Sequence, residues 1–436
     1  MQTQNEHSHS NTINRRQFIG SAAAGTLALT GLMTRTVAQS ETLKVGVIGC
    51  GWYGMVDMNA AFKVGGVECI ALCDVDSQHL KESADEVEEK QGTRPKTFKD
   101  FREFLEVREL EAVIIATPPQ WHALPFLAAL ERGLDIYCEK PLSYDIREGQ
   151  IMAEAAQNSG SIVQVGFQRR QSKAIRQARD YIQAGKIGKV VQVDAQIHYH
   201  APMRDTTRQQ PPESLDWDFW CGPAPKLPYS PSIAHKAWRL EKAYGNGHLV
   251  DWGIHWIDAI RWILDETMPM SVISAGGIYH LEDQITTPDT LTTHFEFGTC
   301  PVVWRHRLWG AKEYPGEPTN GMFFYGEKAT VFVNDWKWEV IPNEKNAEPA
   351  VHRVKSDAGR EHMADFLNAV KTRQQPSSLP EDAFFSSATT QLGMISWDAE
   401  TRVDWDMQFK EITNSSHAAK QLKREYREPW VHPYKK

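Results

Sequence analysis

Leu43-Lys44-Val45-Gly46-Val47-Ile48-Gly49-Cys50-Gly51-Trp52-Tyr53-Gly54 reads as a short apolar strand running straight into glycines spaced G-x-G-x-x-G. A helical pattern follows from Tyr53 to about Val64. A second strand pattern, Val67 to Leu72, ends in Cys73-Asp74. Asp74 stands 20 residues after Gly54. Each part has a physical task. Glycines let the backbone approach a pyrophosphate, the helix N-terminus favours its charge, and a carboxylate at the end of the second strand takes ribose hydroxyls. The glycine spacing alone is weak evidence, but strand, glycines, helix, strand and acid in sequence make a strong pattern. Asp74 favours NAD over NADP, because a carboxylate repels a 2′-phosphate; Asp76 is a second candidate for the ribose.

Outward from this unit the α/β alternation continues. Ala112 to Ala116 is a buried strand pattern ending in Thr117-Pro118-Pro119-Gln120-Trp121-His122. A helix pattern runs on through Leu130. The strand pattern Asp135 to Cys138 ends in Glu139-Lys140-Pro141, and Ile162 to Val165 is another. Loops at the carboxyl ends of parallel strands line the cofactor crevice of such sheets. Thr117, His122, Glu139 and Lys140 are therefore expected at one edge. From about Gln168 the character changes. Val190–His200 alternates, and Val272–Tyr279, Leu291–Phe297, Val302–Trp309, Met322–Tyr325 and Thr330–Val333 follow with no helices between most of them. That spacing predicts an antiparallel sheet. Helices are expected at Gln171–Ala184, Val250–Leu264, Glu361–Thr372 and Pro380–Glu400, and a long Pro- and Trp-rich loop at Ala201–Leu249. The fold class is α/β, with residues 39–165 a Rossmann dinucleotide-binding domain, 166–410 a second α/β domain for substrate and oligomerisation, and 411–436 a C-terminal tail.

Composition excludes several classes. The 436 residues are 41% hydrophobic and 24% charged, with 15 Trp, 17 Phe and 12 Tyr, so the chain has ample core and is not disordered. A net charge of −8 without a long Lys/Arg block argues against nucleic acid or anionic membrane as partner. Six cysteines are too few for a disulfide framework and read as buried small hydrophobes. Arg15-Arg16 precedes a charge-free, Gly/Ala/Thr-rich run from Gln17 to Thr34, and Thr36-Val37-Ala38 offers small residues for cleavage. Residues 1–38 thus read as a twin-arginine signal, with a periplasmic destination and no membrane span in the mature chain. Because that route carries folded proteins and a periplasm has no free nicotinamide pool, the cofactor is expected to be tightly bound.

Asp251 and His255 are four apart in a predicted helix, hence on one face, where a carboxylate beside an imidazole suits acid–base work. Lys140, at a strand end before a proline, is placed to donate to a hydroxyl being oxidised. Arg169, Arg170 and Lys173 read equally as substrate or phosphate contacts and as a solvated helix face. His198 and His200 share a strand face without a third ligand, so no metal is expected. Trp217, Trp220, Trp238, Trp252 and Trp256 gather around the long loop and the Asp251 helix, an arrangement suited to sugar rings.

Together these residues resemble the Gfo/Idh/MocA family, the glucose-fructose oxidoreductase and inositol dehydrogenase family. The matching pieces are the Gly49-x-Gly51-x-x-Gly54 loop, Thr117-Pro118-Pro119 with His122, Glu139-Lys140-Pro141, Gly166-Phe167-Gln168-x-Arg170 and Asp251-x-x-x-His255, across nearly all of residues 43–410. Leu215 to Pro225 resembles an exported branch of that family. Trp52 inside the glycine loop and Pro119 depart from the usual pattern. The resemblance implies a large open sheet that mediates dimers or tetramers, and hydride transfer between a sugar or polyol carbon and nicotinamide. It makes Lys140 the active-site lysine, His255 the acid–base residue and Asp251 its partner at the substrate. Expected cofactor contacts are Gly49, Cys50, Gly51, Trp52, Tyr53, Gly54, Asp74, Thr117, Pro118, His122, Glu139, Lys140 and Gln168. Expected substrate contacts are Arg169, Trp238, Arg239, Asp251 and His255. The alternatives are an NAD-dependent glycosidase that works by transient oxidation and elimination, and a non-enzymatic cofactor- or sugar-binding protein.

Overall fold

The apolar segments of the first half pair into one six-stranded parallel sheet, and those of the second into a ten-stranded mixed sheet. The computed structural model describes residues 42–311, 318–345 and 347–435, all within the unit Glu41–Lys436. The signal expected in residues 1–38 lies outside the described residues.

The first sheet comprises β1 (Leu43–Ile48), β2 (Val67–Cys73), β3 (Lys96–Phe98), β4 (Ala112–Ile115), β5 (Asp135–Cys138) and β6 (Val163–Val165). Their spatial order is β3-β2-β1-β4-β5-β6. β4, β5 and β6 are buried along their whole length, as strands covered by helices on both faces must be. The order reverses between β1 and β4, and the crevice beyond the carboxyl ends of the strands at such a reversal is where ligands bind. Two helices, Ser77–Gln91 and Ile146–Asn158, and the edge strand β3 were not anticipated. Asp76 caps the first helix by accepting from the backbone N–H groups of Gln78 and His79, and Asp145 caps the second through Glu148 N–H.

The second sheet is built from β7 (Val190–Ile197), β8 (Ser271–Gly277), β9 (Thr290–Glu296), β10 (Pro301–Arg307), β11 (Asn320–Gly326), β12 (Ala329–Val333), β13 (Lys337–Pro342), β14 (Ala350–Arg353), β15 (Val403–Asp406) and β16 (Glu411–Ile412). The order is β14-β13-β12-β11-β7-β10-β9-β8-β15-β16; only β7 and β10 pair in parallel. Period-two alternation buries Leu291, Thr293 and Phe295 of β9 and Val302, Trp304 and His306 of β10. Helices Ile254–Leu264 and Pro380–Asp398 cover that side. The helix expected from Val250 opens instead with a π-helical turn, Leu249–Gly253, before the α-helix proper. Gly253 fits there because a side chain would press on the Trp304 ring.

The two sheets share one continuous core. The chain also returns to the first domain: Met363, Phe366 and Ala369 of helix Ala358–Thr372 pack with Met55, Met58 and Ala61. Residues 411–435 are tied down as well. Arg424 and Tyr426 bind the buried Glu148 carboxylate (3.0 and 2.7 Å), and His432 binds Asp145 (3.0 Å). All six cysteines are buried and unbridged. No helix among the described residues is long and apolar enough to cross a membrane.

Candidate active site

The glycine loop folds as its spacing requires. Gly49 sits at φ +84°, and a Cβ there would lie 2.7 Å from Thr117 N, so β1 and the Thr117 loop touch backbone to backbone. A side chain at Gly54 would run into the Gly49 carbonyl oxygen. The cleft beside this loop is walled by Gly49, Gly51, Trp52, Tyr53, Asp74, Thr117 and Pro118. Asp74 accepts from Asp76 N–H (3.0 Å), and burial raises its carboxyl above the usual range. Thr117 Oγ1 is buried without a hydrogen-bond partner, as a group kept for a ligand would be. A bare backbone loop at a helix N-terminus, a carboxylate at the end of β2 and a free hydroxyl fit a dinucleotide.

Other expected cofactor residues stand behind the wall. Cys50 is fully buried and its carbonyl accepts from Ser83. His122 links Thr117 O and Pro141 O, both at 2.8 Å, which locks the two strand-end loops together. Glu139 accepts from Gln168 Nε2 (2.6 Å), and burial pushes its carboxyl up to about 7. The long loop closes over the cleft. Asp216 N–H donates to Val75 O, Ser77 N–H donates to Ser214 O, and His235 bonds Asp76 Oδ2 at 2.7 Å. Trp217, Trp220, Tyr229, Trp238 and Tyr244 give this strap a small core of its own. Asp76 is thereby spent on a helix cap and the strap.

Lys140 Nζ donates to the Asp251 carbonyl oxygen (2.6 Å) and to Asp251 Oδ1 (3.0 Å). Arg239 Nε, from the strap, lies 3.0 Å from Asp251 Oδ2. Burial alone would raise the Asp251 carboxyl, but Lys140 and Arg239 hold it below the ordinary value. An ammonium has three donors, so Lys140 keeps one for a substrate oxygen. The expected Asp251–His255 couple is not what the structure builds: Asp251 is committed to the two cations, and His255 Nδ1 is buried without a partner. Burial, then Arg169 and Lys140, depress the His255 imidazole well below its usual pKa, so it is a neutral base at pH 7. Arg169 binds Asp335 through two nitrogens (2.7 and 2.9 Å) and stacks over Trp256 (4.0 Å), leaving Nη1 buried and unpartnered.

A second, open cleft of about 990 Å³ adjoins the first. Trp52, Lys236 and Arg239 line both, so the two clefts meet there. Lys140, Asp251 and His255 are not in either wall; Asp251 touches the junction through its contact with Arg239. The tryptophans expected around the site divide. Trp217 and Trp220 stack on each other in the strap, Trp238 lines the dinucleotide cleft, and Trp256 is fully buried; only Trp252 opens on the second cleft. Tyr199, Asn320, Asn334, Trp336 and His235 were missed. They come from strand ends, a turn and the strap, and the only sequence signal was the length of the 201–249 loop.

Comparison with known proteins agrees with this geometry. Residues 43–167 match the GFO_IDH_MocA model, described as an oxidoreductase family, NAD-binding Rossmann fold, and residues 185–432 its C-terminal alpha/beta domain. Inositol 2-dehydrogenase of Salmonella typhimurium is 33% identical over 162 residues, 37% of this chain and 47% of the relative. Levoglucosan dehydrogenase of Pseudarthrobacter phenanthrenivorans is 29% identical over 195 residues, 44% of this chain and 43% of the relative. The match thus spans about half the length of these curated relatives. A levoglucosan dehydrogenase solved with NADH and levoglucosan superposes with a TM-score of 0.65 at 18% identity, over 83% of this chain and 99% of the other. The WlbA dehydrogenase from Bordetella pertussis, solved with NADH and UDP-GlcNAcA, gives 0.65 at 18% over 84% and 99%. At such identities the superpositions establish the fold: a Rossmann domain followed by an α/β domain with a mixed, mostly antiparallel sheet.

Proposed function

Because this chain belongs to the Gfo/Idh/MocA oxidoreductase family, we propose that it is a dehydrogenase for a sugar or polyol, working on a tightly held NAD(H). The observation that carries the reading is the Lys140 ammonium, fixed by Asp251, whose other carboxylate oxygen holds Arg239, a residue that lines both clefts. When bound, the nicotinamide supplies the hydride acceptor. This chain's residues do the rest. Lys140 donates its remaining N–H to the substrate oxygen and steadies the charge that develops as the hydroxyl is oxidised. The hydroxyl proton passes to His255, whose depressed pKa keeps it ready to accept. Asp251 positions Lys140 rather than His255.

Relatives named for inositol and levoglucosan dehydrogenation support a polyol or sugar substrate. The Asp74 carboxylate supports NAD over NADP. The strap pinned by His235 and Asp76 supports tight retention, and Arg15-Arg16 supports export of the folded protein by the twin-arginine route to the periplasm. A redox-cycling glycosidase is the second reading, favoured by one observation: the open cleft is large enough for a glycoside, and among the described residues no Asp or Glu lines it. Absorbance of the bound nicotinamide during titration with a panel of sugars, polyols and glycosides separates the two. Net reduction with an oxidised product supports the dehydrogenase, and glycoside cleavage with no net reduction supports the glycosidase. A purified protein that neither carries nor binds a dinucleotide refutes both.

A further inference from the structure

Four of the fifteen tryptophans are exposed, and three of the four line the open cleft. They are Trp52 (45% exposed), Trp252 (41%) and Trp336 (53%). Each comes from a different piece of chain: the glycine loop, the π-helical turn and the turn between β12 and β13. Leaving an indole in water forfeits about 25 cal/mol for every Å² of apolar surface that burial would remove. Scattered exposed residues need no explanation, but three tryptophans on one concavity rimmed by polar groups mark a binding site.

Trp336 is held, not dangling. Asn334 Oδ1 accepts from the backbone N–H groups of Trp336 (3.2 Å) and Lys337 (3.1 Å), and Asn334 N–H donates to Lys337 O (3.0 Å). This closed turn fixes the backbone from which the ring projects. Trp252 marks the other end: its ring lies 6.1 Å from His255, beside the proposed chemistry. The hydroxyl and amide groups of Tyr199, Thr319 and Asn320 line the same cleft. Flat aromatic walls beside hydrogen-bonding groups, the cations Lys236, Arg239 and Lys337 among them, match a pyranose, which has apolar C–H faces and a rim of hydroxyls; a purely apolar ligand would leave those polar groups unpaired. The volume, about 990 Å³, stands at the top of the range of roughly 300–1,000 Å³ typical of drug-sized ligands. One monosaccharide ring leaves most of it empty.

We propose that the cleft binds a carbohydrate of at least two linked rings, the reacting ring between Trp52 and Trp252 and a second ring on Trp336. This rests on the sugar-oxidoreductase reading and deepens it: Trp336 is a specificity residue that selects oligosaccharide or glycoside over free sugar.

The test uses the purified protein with its dinucleotide in place. Calorimetry compares each monosaccharide with a disaccharide carrying it at the non-reducing end: glucose with maltose and cellobiose, galactose with lactose, xylose with xylobiose, N-acetylglucosamine with chitobiose, mannose with mannobiose. At least one disaccharide should bind about tenfold or more tighter than its monosaccharide. Trp336→Ala should abolish that advantage and leave the monosaccharide affinity unchanged, with an unaltered unfolding midpoint. Trp252→Ala, nearer the reacting ring, should weaken both ligands. If no disaccharide outbinds its monosaccharide, or if Trp336→Ala weakens both equally, the second-ring site is refuted while the dehydrogenase reading stands. If neither kind of sugar binds to protein loaded with dinucleotide, the sugar reading itself has failed.

Discussion

Replacing Asp251 by Asn isolates the contact on which the proposed chemistry depends. The carboxylate is 4% exposed and holds Lys140 Nζ and Arg239 Nε, each at 3.0 Å. With an effective dielectric near ~20, each pair is worth about 5 kcal/mol of gross attraction, most of it offset by desolvation. Removing one partner of a buried pair nevertheless costs about 3–5 kcal/mol, because the charges left behind lose their counter-ion. Here two cations are left facing a neutral amide, so one of them, Lys140 or Arg239, moves away. If Lys140 moves, the substrate oxygen loses its donor, a loss of the order of 10²–10³ in turnover for such groups. The assay is single-turnover reduction of bound nicotinamide by whichever sugar the panel identifies, alongside dinucleotide content and thermal unfolding. The expected result is a rate lowered by about 10²–10³, with bound dinucleotide retained because Asp251 lies outside the dinucleotide wall. A variant within threefold of the parent rate would show that Lys140 needs no anchor and refute the reasoning.

Four further outcomes follow from other contacts. His255 is neutral because burial, Arg169 and Lys140 lower its pKa, so in a Glu139→Gln background, which removes the carboxyl held at about 7, oxidation should stay level as pH falls through 6.5 and decline only well below it; an acid limb at 6.5 there would mean that the ring titrates as if in water. The same buried ring must charge as the protein acidifies, so its contribution to stability is present above 6.5 and lost below the depressed value. His235→Ala removes the strap's bond to Asp76, and dialysis should then strip the dinucleotide about tenfold faster; unchanged retention would show that the strap is no latch. Arg424→Ala leaves Glu148 buried without its ion pair (3.0 Å), costing about 3–5 kcal/mol and lowering the unfolding midpoint by roughly 4–6 °C; a shift below ~1 °C would mean that the C-terminal segment adds little.

What the sequence discloses is what is local. β1, the glycine loop and the helix after it are written in consecutive residues, and Gly49 and Gly54 have the backbone roles their spacing implies. β9 and β10 show because one face is core and the other is not. β14, exposed at all four residues, and β16, two residues long, carry no such alternation and pass unnoticed. The candidate catalytic residues are legible as types, but their partners are not. Lys140 and Asp251 are 111 positions apart, and nothing local says that Asp251 faces a lysine rather than the histidine four residues on. The tryptophans show the same limit. Composition identifies them, but the fold alone decides that Trp256 is core, Trp238 cofactor wall and Trp336 an exposed platform.

The most direct test of the account follows the nicotinamide. Protein purified with its bound dinucleotide is titrated with the sugar and polyol panel while nicotinamide absorbance is recorded, in parallel with Lys140→Ala and His255→Asn. The account predicts that a carbohydrate reduces the bound cofactor, yields a product two hydrogens lighter, and fails to do so in both variants. Reduction that persists undiminished in Lys140→Ala and His255→Asn, or a protein that holds no dinucleotide at all, would contradict it.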